Sequence, residues 1–430
     1  MDFKEACEEA KRIAFSFSHP LIVHHYDTDG ITSGAIVTGA FIDEGRPHRR
    51  KCIKKLDDAA IDELAKEKEI IFVDLGGGNK RVNELKDVLI IDHHQTEGIE
   101  KPQINPLLYG IDGSTELCAA GTAYFIFGKR IELAITGAVG DMQLPFKGKN
   151  NEIVEIGEKD GRVRVEEDLS FYGRYCRPLV QFLQYSDEPY IPGLSYREEK
   201  CLQLLETLGI PLKSGEKYRT YSDLSKEEKT RLISAIAEIL IERGRIREVK
   251  ELITKSYVFP KNKINESYEA GEFSTLLNAC GRHNRDDIGV GVALGIEEYF
   301  DEARKLLQLH RRMLREGIAY ASANIQDFGE FYFIDGRGII DENIIGIICG
   351  MVLNANWKKP VIGIANSNNN QLKVSSRGKG GNLGLIMKKA AALCGGIGGG
   401  HRMAAGASIP SSKLNEFLLA VGSEITNKNN

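Results

Sequence analysis

Four apolar segments of this chain each stop abruptly in carboxylates or imidazoles. Pro20-Leu-Ile-Val23 gives way to His24-His25-Tyr26-Asp27-Thr28-Asp29-Gly30, Ile70-Ile-Phe-Val73 to Asp74, and Val88-Leu-Ile-Ile91 to Asp92-His93-His94. Leu133–Val139, rich in small residues and predicted as a buried helix, delivers Asp141 after Gly140. The first three runs lack polar alternation, as strands buried on both faces of a parallel sheet do. Arg50–Leu56 reads as a further strand, and small-residue or amphipathic helices fall between the strands: 2–17, about Ile31–Ile42, and Asp58–Lys68. Alternation at this spacing predicts an α/β fold with a doubly wound parallel sheet, whose ligand-binding edge is the carboxyl end of the strands. Gly30 permits the tight strand-to-helix turn, with Thr32 or Ser33 as the expected helix cap.

That edge would collect His25, Asp27, Asp29, Asp74, Asp92, His93, His94 and Asp141. Such groups repel one another unless cations lie among them. Imidazole beside carboxylate suits borderline divalent ions such as Mn²⁺, Fe²⁺ or Zn²⁺. The expected site is binuclear, with ions roughly 3.5–4 Å apart and a bridging hydroxide as nucleophile.

At 430 residues the chain exceeds one typical core, so two or three domains are expected. No apolar run has membrane-spanning length, and the N-terminus shows no signal-peptide pattern. Eight scattered cysteines without a CxxC pair predict buried reduced thiols and a cytoplasmic protein. The net charge of −4 hides a strong asymmetry: no acidic residue lies between Glu342 and Glu416, an interval holding Lys358, Lys359, Lys373, Arg377, Lys379, Lys388, Lys389, Arg402 and Lys413. This predicts an anion-binding surface. The glycines Gly395–Gly400 would leave backbone N–H groups open to a phosphate beside His401.

Between these regions, Glu152–Leu169 reads as a hairpin around Asp160-Gly161, and 181–209 and 225–253 as a helical insertion. Glu297–Ala323 reads as a long connecting helix carrying His310 on one face. From Phe331 the pattern is strand, helix, strand, strand, helix, glycine turn, strand, helix. Val361–Ile364 and Leu372–Ser376 pair around an Asn-rich turn, and Asn382 caps a helix. The predicted domains are 1–185, 186–325 and 326–430.

The motifs around Asp27-Thr-Asp29-Gly30, Asp74, Asp92-His93-His94 and Gly137-x-x-x-Asp141 resemble the four signatures of the DHH phosphoesterase superfamily. Gly398-Gly-Gly400-His401-Arg402 through Gly406, with Ser375-Ser376-Arg377 upstream, resembles the DHH-associated C-terminal domain. Segments Asp187–Gly193 and Phe273–Arg282 resemble archaeal RecJ-like single-strand exonucleases. The additional oligonucleotide-binding domain of bacterial RecJ is not found, which bears on processivity.

The resemblance implies an enzyme using two Mn²⁺ ions, with Mg²⁺ or Co²⁺ as substitutes. His25, Asp27, Asp29, Asp74, Asp92, His93 and Asp141 would bind metal. Asp92, His93 and His94 would be catalytic, and His94, Arg377, Gly399, Gly400 and His401 would contact substrate. Single-stranded DNA or RNA, held between a metal lobe and a basic lobe, would be hydrolysed in replication or repair, and GINS or other replication proteins are implied partners. Two alternatives stay open: a phosphodiesterase for oligoribonucleotides or cyclic dinucleotides, and a replication-complex scaffold with a decayed site.

Overall fold

The computed structural model describes residues 2–186, 189–353, 359–379 and 381–429. Asp187, Glu188 and Lys358, named above, lie outside the described residues. The chain divides into two compact units, 1–304 and 305–430. Residues 186–325, predicted as insertion plus connector, are shared between them.

The first unit opens with α1 (Phe3–Ser16), started by a capping box of Asp2 and Glu5. There follow β1 (Leu21–His24), α2 (Thr28–Asp43), β2 (Arg49–Cys52), α3 (Asp58–Leu64), β3 (Glu69–Val73), β4 (Asp87–Ile91) and β5 (Gln103–Ile104). All pair in parallel in the order β2-β1-β3-β4-β5. The strand order reverses between β1 and β3, the switch point where open α/β sheets bind ligands. Leu21, Val23, Ile70, Phe72, Val88 and Ile90 bury one sheet face together with Ile61 and Leu64 of α3. Each such side chain contributes about 1.5–3 kcal/mol when fully buried, enough to fix where the strands end.

α2 begins earlier than the predicted Ile31. Its cap is Asp27, which accepts a hydrogen bond from Gly30 N at 3.0 Å. A carboxylate there satisfies an otherwise unpaired N–H and complements the helix dipole. Thr32 and Ser33 lie inside the helix, their hydroxyls donating to Thr28 O (2.8 Å) and Asp29 O (2.6 Å). α4 (Ala119–Phe127) and α5 (Ile131–Gly140) then pack against α2, and Asp141 caps the end of α5.

The predicted hairpin at Asp160-Gly161 is not formed. Residues before it make α6 (Gly148–Lys159), burying Ile153, Val154 and Gly157 at helical spacing. β6 (Arg164–Leu169) pairs instead with a strand far along the chain. Between come α7 (Leu179–Gln184), α8 (Glu198–Thr207), the short pair β7 (Lys213–Ser214) and β8 (Lys217–Tyr218), α9 (Lys226–Glu242) and α10 (Ile246–Lys250). β9 (Ile253–Val258) then closes an antiparallel ribbon with β6. The helical segment so tied off has its own core, including Phe182, Tyr221, Leu232 and Ile236. α11 (Ala270–Arg282) and α12 (Asp286–Ala293) return to pack on α2. α13 (Glu298–Asn324) follows, with His310 buried as a helix-face residue.

The second unit contains β10 (Gln326–Asp327), β11 (Tyr332–Asp335), α14 (Ile345–Leu353), β12 (Val361–Asn366), β13 (Gln371–Arg377), α15 (Leu383–Leu393), β14 (Ile397–Gly400), β15 (Ala404–Pro410) and α16 (Leu414–Asn429). Its sheet runs β10-β11-β12-β13-β15-β14. The β12–β13 hairpin turns at Asn369 and Asn370, whose φ values of 56° and 57° suit asparagine. The glycine stretch is an edge strand rather than an open loop, because Ile397–Gly400 pairs with β15. A Cβ on Gly398 would lie 2.3 Å from Met387 O, so glycine is what lets α15 lie directly on β14.

Candidate metal centre and phosphate-binding face

The carboxyl ends of β1, β3 and β4 and the end of α5 bring His25, Asp27, Asp29, Asp74, His93, His94 and Asp141 together. Ligand atoms lie within 4.8 Å of one another in three overlapping triads: His25, Asp27 and Asp74; Asp74, His93 and His94; Asp29, His93 and Asp141. Asp74 and His93 each belong to two triads, so the set can serve two ions with shared ligands. His93 Nε2 lies 3.2 Å from Asp74 Oδ1 and 3.6 Å from Asp29 Oδ2. His25 Nδ1 lies 2.9 Å from Asp27 Oδ2 and 3.4 Å from Asp74 Oδ2.

Backbone geometry explains the convergence. A Cβ on Gly30 would lie 2.4 Å from His25 O, so only glycine lets α2 start against the end of β1. Asp74 follows β3 with a left-handed φ of 62°, which turns it out of the strand. Local strain of this kind persists where surrounding structure enforces it, often at functional sites.

Asp92 is bonded differently from its neighbours. Its Oδ2 accepts Gly77 N at 2.9 Å, and its Oδ1 accepts His93 N (2.8 Å), His94 N (3.2 Å) and His94 Nδ1 (2.9 Å). Among the described residues it joins none of the three triads. It holds the His93-His94 turn, and it orients His94, which is 56% exposed.

Several supporting groups escape a reading of the sequence. His93 Nδ1 lies 2.6 Å from Gly113 O, and Asp29 accepts Ala119 N and Ala120 N, at 2.8 and 2.9 Å, at the start of α4. Asp141 Oδ2 accepts Gln143 Nε2 at 2.7 Å, and Asn150 Nδ2 donates to Gln143 Oε1 at 2.6 Å. Gln143 stands two residues after Asp141, the one signal that pointed to it.

Burial and the Asp74 charge push the Asp29 carboxyl up to about 6, and burial with the Asp29 charge does the same to Asp141. Burial opposes charge on His25, but Asp27 and Asp74 outweigh it and raise the imidazole to about 11. His93 is raised too: Asp74 and Asp29 prevail over its burial. For Asp92 burial is outweighed by the His94 and His93 contacts and the Gly77 hydrogen bond, leaving it at about 2. The donor set fits divalent metal on a direct observation. Both oxygens of Asp74 and Nε2 of His93 are buried without a hydrogen bond of good geometry, and such groups call for a ligand.

In the second unit the predicted basic surface is only partly basic. Lys359 pairs with Asp327 (2.8 Å), Lys389 with Glu424 (3.0 Å) and Lys413 with Glu416 (2.8 Å). The acid-free interval is segregated in sequence, but the fold brings acids to it from both sides. Arg377 ends β13 opposite Ala404 and donates to Ser376 O at 2.9 Å. A Cβ on Gly346 would lie 2.9 Å from its guanidinium, so glycine leaves that side chain room. His401 is exposed at the β14–β15 turn. The first N–H groups of α15 are already used: Leu383 N donates to Arg402 O (3.0 Å), Gly384 N to His401 O (3.1 Å) and Leu385 N to Asn382 Oδ1 (3.2 Å). Gly400, with φ 130°, packs on Ala405, whereas Gly399 faces open space. The donors this face offers are therefore side chains, Arg377 and His401, more than a glycine nest.

Three family models match in order: the DHH family N-terminal domain at residues 20–141, the DHH-CID domain at 171–253 and the DHHA1 domain at 329–427. The chain belongs to the DHH superfamily, and its fold is like that of RecJ. An uncharacterized protein of Methanocaldococcus jannaschii is 28% identical over 438 residues, covering 96% of this chain and 94% of the relative. Among solved structures, Cdc45 from Entamoeba histolytica matches with a TM-score of 0.66 at 14% identity, over 99% of this chain and 98% of that one. RecJ from Thermus thermophilus, in complex with Mn²⁺, matches with a TM-score of 0.61 at 15% identity over 99% of this chain. This chain spans about half the length of that RecJ, 55%. The structural matches show a shared fold. Among the described residues no helix is long and apolar enough to cross a membrane.

Proposed function

We propose that this protein is a Mn²⁺-dependent phosphodiesterase that acts as a single-strand-specific exonuclease on DNA or RNA. The observation that carries this is the set of three overlapping ligand triads sharing Asp74 and His93. His25, Asp27, Asp29, Asp74, His93 and Asp141 would hold the ions. Bound there, divalent metal supplies a water of lowered pKa and stabilises charge on the phosphoryl oxygens. Asp92 would hold the turn that carries His93 and fix His94, whose exposed imidazole would donate to a phosphate oxygen. Arg377 offers a fork of donors matched to phosphate, and His401 adds a further donor.

The domain content and the RecJ fold support the exonuclease reading. The test is digestion of single strands of graded length, labelled at either end, with Mn²⁺ or excess chelator. Stepwise release of mononucleotides from long strands is expected. Cleavage confined to dinucleotides or cyclic dinucleotides would favour a small-substrate enzyme, and no cleavage at any length would favour a scaffold.

A further inference from the structure

A second ligand cluster lies at the same strand end. His24 is the last residue of β1, and His25 is the first beyond it. His25 enters the centre described above, while His24 turns toward α2 and α12. Its imidazole is fully buried, 0% exposed, and packs over Gly34, where a Cβ would lie 2.8 Å from the ring. His24 Nδ1 lies 2.7 Å from His25 O. Nε2 has no hydrogen-bond partner, and Asp286 Oδ2 is 3.8 Å away.

Cys52 completes the cluster. It is the register partner of His24 and the last residue of the edge strand β2. A ring nitrogen of His24, the Cys52 thiol and an Asp286 carboxylate oxygen lie within 4.8 Å of one another. Cys52 is a free thiol, and it and Asp286 are only partly buried, so an ion has a path to the cluster. Asp286 opens α12, which brings in a ligand from a segment more than two hundred residues away in sequence.

We propose that His24, Cys52 and Asp286 form a zinc-class binding site, distinct from the Asp/His centre, that ties the start of α12 to the ends of β1 and β2. Sulfur and imidazole donors select Zn²⁺, whereas the neighbouring oxygen-rich set suits harder ions such as Mn²⁺ or Mg²⁺. On binding, the Cys52 thiol gives its proton to solvent, and thiolate and carboxylate together neutralise the dication. Three protein donors leave the fourth position to water. The role is positional: the ion would fix the backbone from which His25 and Asp27 project.

Co²⁺ is the probe, because a thiolate ligand gives it a near-ultraviolet charge-transfer band that carboxylate and imidazole ligands do not. Metal-free full-length protein titrated with Co²⁺ should develop that band, and equimolar Zn²⁺ should remove it. Cys52→Ser should abolish the band. Asp74→Asn and Cys118→Ser should keep it, since Asp74 belongs to the other centre and Cys118 lies beside Asp29. Asp286→Asn should retain a thiolate band at Co²⁺ affinity at least tenfold weaker, which covers the case in which Cys52→Ser does not fold. No band in the wild type would overturn the proposal. So would a band that survives Cys52→Ser or disappears in Cys118→Ser.

Discussion

His93 Nδ1 lies 2.6 Å from the carbonyl oxygen of Gly113, and a carbonyl can only accept. Nδ1 therefore carries the proton, and Nε2 is the nitrogen presented to Asp74 and Asp29. A contact of this kind fixes both the tautomer and the ring orientation of a metal-binding histidine. Gly113 is constrained in turn, since a Cβ there would lie 2.2 Å from His93 O. Gly113→Ala should lower Mn²⁺ affinity by roughly 10–100-fold, as lost supporting contacts typically do. Calorimetric titration measures this, and unchanged affinity would mean that the Gly113 contact does not set the ligand.

Asp74→Asn separates charge from shape. The left-handed backbone at Asp74, φ 62°, is one that asparagine also tolerates. Neither Asp74 oxygen makes a hydrogen bond that the amide would break. Removing one charge from a cluster of buried carboxylates relieves repulsion. The metal-free variant should therefore match or exceed the wild type in urea midpoint. Mn²⁺ affinity should fall by at least roughly 100-fold, beyond the loss of a supporting contact. A lower midpoint with intact metal binding would contradict this.

Arg219 and Glu228 predict a pH dependence away from the centre. The guanidinium grips both oxygens of Glu228, at 2.9 and 2.6 Å, and holds its carboxyl at about 2 against an ordinary 4.5. Because the folded value is depressed, this stabilisation is complete above 4.5 and fades as pH falls toward 2. Arg219→Ala should cost about 1–2 kcal/mol near neutrality. The gap between variant and wild-type urea midpoints should narrow steadily below pH 4.5. A gap that is constant from pH 7 to 3 would rule out the ion pair as its source.

The centre was legible where the chain changes character within one residue. Val73 to Asp74 and Ile91 to Asp92 pass from fully buried strand to the carboxyl edge of the sheet, where open α/β folds bind ligands. What escaped was carried by backbone groups or by distance. Gly113 acts through its carbonyl, which no side chain announces, and β6 pairs with β9 across the whole helical segment. The four donors on the Asp92 oxygens, three of them backbone N–H groups, carried no sequence signal either. The basic interval misled because Asp327 and Glu424 lie outside it in sequence and beside it in space.

Arg377→Ala should weaken single-strand binding and leave Mn²⁺ affinity unchanged. Each phosphate contact contributes about −0.7 to the slope of log affinity against log salt for single strands, so the slope should fall by about that much. Fluorescence anisotropy across a salt series reads the slope directly. An unchanged slope, or loss of metal, would remove Arg377 from the phosphate-binding face.

The most direct test of the account is a Mn²⁺ titration of metal-free protein, with bound metal and single-strand cleavage measured on the same samples. The triads built on Asp74 and His93 predict up to two ions bound and cleavage that rises only as they bind. Asp74→Asn should show neither. Cleavage at the full rate in excess chelator, or in Asp74→Asn with no metal bound, would contradict a phosphodiesterase acting through this centre.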